Sequence, residues 1–146
     1  MYADGTQFEA TIAIQIALGI VSAARHLHAH GITHGDLYAH NILVNPDGLS
    51  LLGDFGAASF FSPDDRSLAQ ALQAIEVRAV GCLFEELLAR SEADEGSRLA
   101  LNALAELTAT CLQDDVLLRP RLAEIERMLG FYQAGHNSFA RHPVQG

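Results

Sequence analysis

From His34 to Gly56 the chain reads H-G-D-L-Y-A-H-N-I-L-V, N-P-D-G, L-S-L-L-G-D-F-G, and no other stretch restricts the fold as tightly. Two short apolar runs, residues 42–44 and 49–52, flank Asn45-Pro46-Asp47-Gly48. Asn and Asp favour turns, Pro presets φ and Gly accepts positive φ, so the pattern predicts a β-hairpin. That hairpin is expected to put Asp36 and Asn41 at one end of the strand pair and Asp54 at the other end of the ladder, the three oxygen-bearing side chains converging on one spot. Hard oxygen donors, two of them charged, suit Mg²⁺ and the phosphates it bridges. Each residue alone reads as well as a turn Asp or an Asn cap. The spacing, the hairpin and G-D-F-G together make that the weaker reading.

The chain has 146 residues, enough for one domain around a single core, and 49% of them are hydrophobic. A net charge of −9 argues against nucleic acid and anionic membrane surfaces as partners. Cys82 and Cys111 fall in helical patterns with no C-x-x-C spacing, so both are expected buried and reduced, in a cytoplasmic protein. The apolar stretch 12–24 is interrupted by Gln15, Gly19 and Ser22 and reads as too short to span a bilayer. No basic segment precedes it, so it does not read as a signal peptide.

Residues 1–6 are turn-like, and Thr6-Gln7-Phe8-Glu9 has the form of a capping box. Phe8, Ile12, Ile16, Ile20, Ala23 and Leu27 then recur at helical spacing, with apolar residues on more than one face, as in a buried helix ending near His30 at Gly31. His26, His28, His30 and His34 invite a metal reading, but residues two apart on a helix point to different faces. Residues 57–61 form an apolar loop, and Ser62-Pro63-Asp64-Asp65 looks like a helix start with Ser62 as N-cap. Leu68, Leu72, Ile75, Ala79, Leu83 and Leu87 continue as one long helix or two joined near Ala74. Residues 91–97 are a polar connection; a helix follows over 99–112, facing Leu101, Leu104, Ala105, Thr108 and Cys111 or Leu112 inward, and Pro120 opens a last one. The stretch 131–146 reads as a mobile tail.

The segment 34–56 resembles the protein kinase superfamily, whose catalytic loop is H-R-D-L-x-x-x-N followed by D-F-G. The resemblance implies Asp36 as catalytic base, Asn41 and Asp54 as Mg²⁺ ligands, and Leu43 as the floor of the adenine pocket. His34, Phe55 and Gly56 take supporting places. Residues 76–88, E-V-R-A-V-G-C-L-F-E-E-L-L, resemble the family helix whose Asp anchors the catalytic loop backbone, with Glu76 in its place. C-L-Q-D-D-V-L-L-R-P-R-L-A-E-I resembles the last helices of the kinase fold, and Arg119 matches an Arg that pairs with the Glu of A-P-E. Here 19 residues separate Gly56 from Glu76, with no A-P-E among them, so Arg119 needs another acceptor. Gly35 stands where the family has Arg, Tyr38 where serine/threonine kinases have Lys, and position 40 is His.

The resemblance spans about residues 2–130 and is confined to the C-terminal lobe: these residues hold no Gly-rich phosphate loop, no V-A-I-K lysine and no partner glutamate. The expected fold is therefore mainly α with a small β-hairpin, a kinase-like C-lobe over 1–130 without the N-lobe. The implied function is ATP- and Mg²⁺-dependent phosphorylation of protein hydroxyls, weak or absent in this chain alone. Expected partners are a protein substrate, or a protein covering the surface that faces the N-lobe, a second copy included. The rival readings are a non-catalytic pseudokinase or interaction module, a truncated kinase, and a small-molecule phosphotransferase of the aminoglycoside or choline kinase type, which also uses H-G-D-L-x-x-x-N. The segments after Glu76 favour the protein kinase branch.

Overall fold

The long apolar segment near the N-terminus forms the axis on which the other elements pack. The computed structural model describes residues 8–37, 42–45, 49–53, 55–92 and 96–140, the side chains of residues 43 and 134–140 excepted. A two-residue strand β1 (Phe8–Glu9) leads into helix α1 (Ala10–Ala29), and β2 (Ile32–Thr33) follows Gly31. The hairpin is β3 (Ile42–Val44) with β4 (Ser50–Leu52). A 3₁₀ turn (Phe55–Ala57), β5 (Ser59–Phe60), α2 (Arg66–Ala89), β6 (Ser91–Glu92), α3 (Arg98–Cys111), a second 3₁₀ turn (Val116–Leu118) and α4 (Leu122–Ala140) complete the order. The fold is mainly helical with small strand pairs, as expected.

Helix α1 buries Ala13, Ile14, Ile16, Ala17, Ile20, Val21 and Ala24, which occupy more than one face. It packs chiefly on α4, while α2 lies mainly against α3 and both touch α1. Phe84, Leu87, Leu104, Ile125 and Leu129 complete this core, each fully buried. Burying an aliphatic or aromatic side chain of this size contributes about 1.5–3 kcal/mol, so the α1–α4 and α2–α3 packings both contribute to stability. By length and composition α1, a 20-residue helix containing an 18-residue window of mean hydropathy 1.4, could cross a membrane, contrary to the expectation that this stretch is too short. Its burial among the other helices accounts for the same apolarity.

The hairpin forms in the register Ile42↔Leu52, Leu43↔Leu51 and Val44↔Ser50. Asn45 closes it twice: its N–H donates to the Leu49 carbonyl at 3.0 Å, and its side-chain oxygen accepts from the Leu49 N–H at 2.9 Å. The open end of the ladder is the Ile42–Leu52 pair, so the chain enters β3 and leaves β4 at the same end. That corrects the expectation of opposite ends, because antiparallel strands begin and finish side by side. Ser50 tethers the hairpin to α1 through a 3.4 Å hydrogen bond from its hydroxyl to the Ile16 carbonyl.

Several boundaries differ from expectation. The N-cap of α1 is Glu9, without a side-chain cap bond, and Thr6 lies outside the described residues. Helix α2 is one continuous element starting at Arg66, capped by Asp65, whose side chain accepts from the Leu68 N–H at 3.2 Å. Ser62 instead closes a turn, its carbonyl accepting from the Asp65 N–H at 3.1 Å, which moves the cap three residues on. Residues 59–60 are a strand paired antiparallel with β2, Ile32↔Phe60 and Thr33↔Ser59, where a loop was expected. Ala105 faces solvent, and Ala103 and Leu107 take the inward positions of α3. Pro120 precedes α4, whose first N–H group, that of Leu122, is satisfied by the Gln73 side-chain oxygen at 2.8 Å. Helix α4 continues through Ala140, well beyond residue 130.

Candidate active site

Gly31 ends α1 with φ +73°, a left-handed conformation that costs glycine little. Its carbonyl accepts from the Phe61 N–H at 2.8 Å, which draws the segment after G-D-F-G back alongside β2. The chain then passes through Thr33 and His34, both buried, to Gly35, Asp36 and the buried Leu37.

Glu76 holds this turn from below. Only 4% exposed, it rises from α2 and accepts from two successive backbone N–H groups, His34 at 2.7 Å and Gly35 at 3.2 Å, on Oε1. Its Oε2 takes the Nε2 of His28 from α1. One carboxylate therefore ties two helices and the loop together. Glutamate has one more methylene than the family aspartate, and both of its oxygens are occupied. Charged acceptors make hydrogen bonds worth about 1.5–3 kcal/mol each, which repays part of the cost of burying the charge.

His34 joins the loop to the segment carrying G-D-F-G. Its Nε2 lies 2.8 Å from the Gly53 carbonyl, and its Nδ1 accepts from the Asp36 N–H at 3.2 Å. These partners define one neutral tautomer, with the proton on Nε2. The ring also packs on Phe55, centroids 4.9 Å apart. Asp36, half-buried, thus has its backbone aligned by the residue two before it.

Gly35 has φ +83°, and a Cβ built on it would lie 2.4 Å from the Ala57 carbonyl oxygen. The residue replacing the family Arg is therefore wedged against the segment that follows G-D-F-G. Arg119 finds two acceptors in place of the missing glutamate: its Nε donates to the Gln113 carbonyl at 2.8 Å and one terminal nitrogen to the Ala74 carbonyl of α2 at 3.0 Å.

Asn41 and Asp54, the expected metal ligands, lie outside the described residues, as does the side chain of Leu43. Residue 43 is in β3, paired with Leu51. Among the described residues no three His, Cys, Asp or Glu side chains gather into a metal site. Gly56 sits in the exposed 3₁₀ turn beside Phe55. Leu49, Leu51, Phe55 and Phe60 are exposed, Phe60 at 86%.

His28 is the residue that sequence reasoning did not assign. Its signal was position: it continues the buried line Ala17, Ile20 or Val21, Ala24 on α1, and a buried polar side chain requires a partner. Its Nδ1 is buried without a hydrogen-bond partner among the described residues, so the contact to Glu76 is what orients the ring.

The protein kinase domain family matches residues 1–77. Among relatives, serine/threonine-protein kinase AtPK1/AtPK6 of Arabidopsis thaliana is 52% identical over 48 residues, 33% of this chain and 10% of that protein. The 3-phosphoinositide-dependent protein kinase 1 of Rattus norvegicus is 37% identical over 89 residues, covering 48% of this chain and 16% of that one. The chain thus spans a small part of the relatives it matches. A solved structure described as a divergent kinase lacking the glycine-rich loop, which regulates membrane ultrastructure of the Toxoplasma parasitophorous vacuole, superposes with a TM-score of 0.60 at 24% identity. It covers 77% of this chain and 39% of its own, a likeness of fold that extends beyond the sequence match. With more than half of its length matched by the family and the loop of His34 and Asp36 held by Glu76, the chain belongs to the protein kinase domain family.

Proposed function

We propose that this chain is the catalytic-lobe part of an ATP- and Mg²⁺-dependent protein kinase, with Asp36 as the base that accepts the proton of a protein hydroxyl. The observation that carries this is the double grip of Glu76 on the His34 and Gly35 N–H groups, continued by His34 to the Asp36 N–H and the Gly53 carbonyl. A general base must be held within hydrogen-bond reach of its proton, and such a frame limits the motion of the Asp36 backbone. Asn41 and Asp54 would hold Mg²⁺ through hard amide and carboxylate oxygens, and Leu43 would lie under adenine. Bound there, Mg²⁺ neutralises charge on the phosphates.

The proposed activity of the chain alone is low. Phosphoryl transfer depends on positioning and electrostatics, and each such element is typically worth about 10²–10³-fold in rate. These 146 residues contain no lysine, so a phosphate-clamping amine has to come from another polypeptide segment. The exposure of the apolar Leu49, Leu51, Phe55 and Phe60 supports a covering N-lobe or a second copy. The two free cysteines suit a reducing, cytoplasmic setting. The same lack of lysine supports the second reading, a non-catalytic interaction module.

A radiolabelled ATP assay on a generic protein substrate, with sedimentation of the purified chain, separates the readings. Weak incorporation abolished by Asp36→Asn, from a chain that self-associates, supports the proposal. No incorporation and no Mg-nucleotide binding supports the interaction module. A clean monomer with strong, Asp36-dependent phosphorylation refutes the dependence on a covering partner.

A further inference from the structure

Behind the loop of Asp36, two cavities of about 230 and 130 Å³ lie along α2 and meet at Arg119. Leu72, Ile75 and Ala79, at spacings of three and four, form the apolar wall of the larger one. Ile75 is 65% exposed. The smaller cavity is bounded by Val116 and Leu117 of the second 3₁₀ turn, where Leu117 is 88% exposed. Helix α2 begins only ten residues after Gly56, at Arg66, and none of the connecting residues 57–65 lines either cavity.

The charge around this groove is opposite to that of the molecule. The whole chain carries 18 acidic side chains against 9 arginines. The lining of the two cavities holds three of those arginines, Arg78, Arg119 and Arg121, and one carboxylate, Glu76, whose oxygens are already bonded to His28, His34 and Gly35. Arg78 and Arg121 are exposed and have no ion pair or hydrogen-bonded side-chain partner among the described residues. Arg119 is braced against two carbonyls.

We propose that this groove docks an acidic segment of a partner protein, with apolar side chains entering the cavities and carboxylates meeting Arg78, Arg119 and Arg121. The cavities are smaller than the roughly 300–1,000 Å³ that small-molecule sites occupy, and they fit single side chains. Exposed aliphatic surface edged by arginine is the composition of a protein interface. A symmetric contact with a second copy through this groove would set the three arginines of one molecule against those of the other, which charge repulsion opposes.

The test uses the full chain and an array of short peptides combining Glu with Leu, Ile or Phe, beside a matched array with Lys for Glu. Fluorescence anisotropy on the best binders then compares wild type with Arg78→Glu, Arg121→Glu and Ile75→Glu. All three positions are exposed, and circular dichroism checks each fold. The proposal expects binding by acidic peptides only, weakened at least about tenfold by each charge reversal and between about 50 and 500 mM salt. Ile75→Glu weakens it as well. Equal binding by both arrays, no binding by either, or indifference to Arg78→Glu and Arg121→Glu overturns the proposal. Self-association lost in Arg78→Glu also overturns it, by assigning the groove to a second copy.

Discussion

The Glu76 carboxylate accepts the His34 N–H at 2.7 Å across 42 residues of sequence, and this bond sets where the His34–Asp36 loop sits on the helical core. Three groups converge on the same side chain, so its removal is felt beyond the site. Glu76→Ala takes this acceptor from the buried His34 N–H and His28 Nε2 and from the more exposed Gly35 N–H. Leaving a buried hydrogen-bonding group without its partner costs about 1–3 kcal/mol, and urea unfolding should show a loss of at least that size. A loss under about 1 kcal/mol would show that the network is idle.

Gly35 answers to geometry. A side chain there adopts the left-handed region, at about 1–2 kcal/mol, and its Cβ meets the Ala57 carbonyl oxygen at 2.4 Å. Restoring the family residue by Gly35→Arg should therefore lower Tm, by about 2–4 °C per kcal/mol for a domain of this size. Without an arginine there, phosphomimetic changes at Ser59, Ser62 or Ser67 are expected to leave activity within about tenfold of the parent. A larger rise in a phosphotransfer assay would count against this account of Gly35.

Cys111 is fully buried in α3, and burial pushes its thiol from 9.0 up to about 12, with Arg119 pulling weakly the other way. In the native state it stays a neutral thiol, a poor nucleophile. Iodoacetamide near neutral pH should modify the half-buried Cys82 well before Cys111, read by peptide mass mapping. Because the folded value is raised, the stability that Cys111 contributes is complete below about pH 9 and declines towards about pH 12. Cys111→Ser should blunt that alkaline decline; rapid native alkylation of Cys111 would contradict it.

Mg²⁺ binding should depend on nucleotide. On the proposed assignment Asn41 and Asp54 are the protein ligands, too few for an octahedral shell, so phosphate oxygens would have to complete it. Calorimetry is expected to find weak Mg²⁺ binding alone, tighter binding with ATP, and loss of that gain in Asp54→Asn. An affinity indifferent to both ATP and Asp54 would remove the assignment.

Local chemistry made much of this molecule readable. The residues Asn45-Pro46-Asp47-Gly48 between apolar runs specified the hairpin in the sequence, and the helical spacing from Ile12 to Leu27 specified α1, because both depend on near neighbours. Glu76 was legible as an anchor only through its place in a family-like segment. His28, by contrast, was passed over, since its partner is 48 residues away. The cap of α2 also moved from Ser62 to Asp65, because the turn at Ser62 and the β2–β5 pairing draw the preceding chain towards Gly31.

By itself, the sequence determined the helical core, the hairpin and the kinase-family motifs around Asp36, since periodicity and turn chemistry act over a few residues. Only the tertiary structure decided that Glu76 joins His28 to the His34–Gly35 backbone, that Arg119 turns to the Ala74 and Gln113 carbonyls, and that Gly35 abuts Ala57. Those contacts link residues distant in the chain. They exist because buried donors and acceptors must find partners wherever the packed helices bring them.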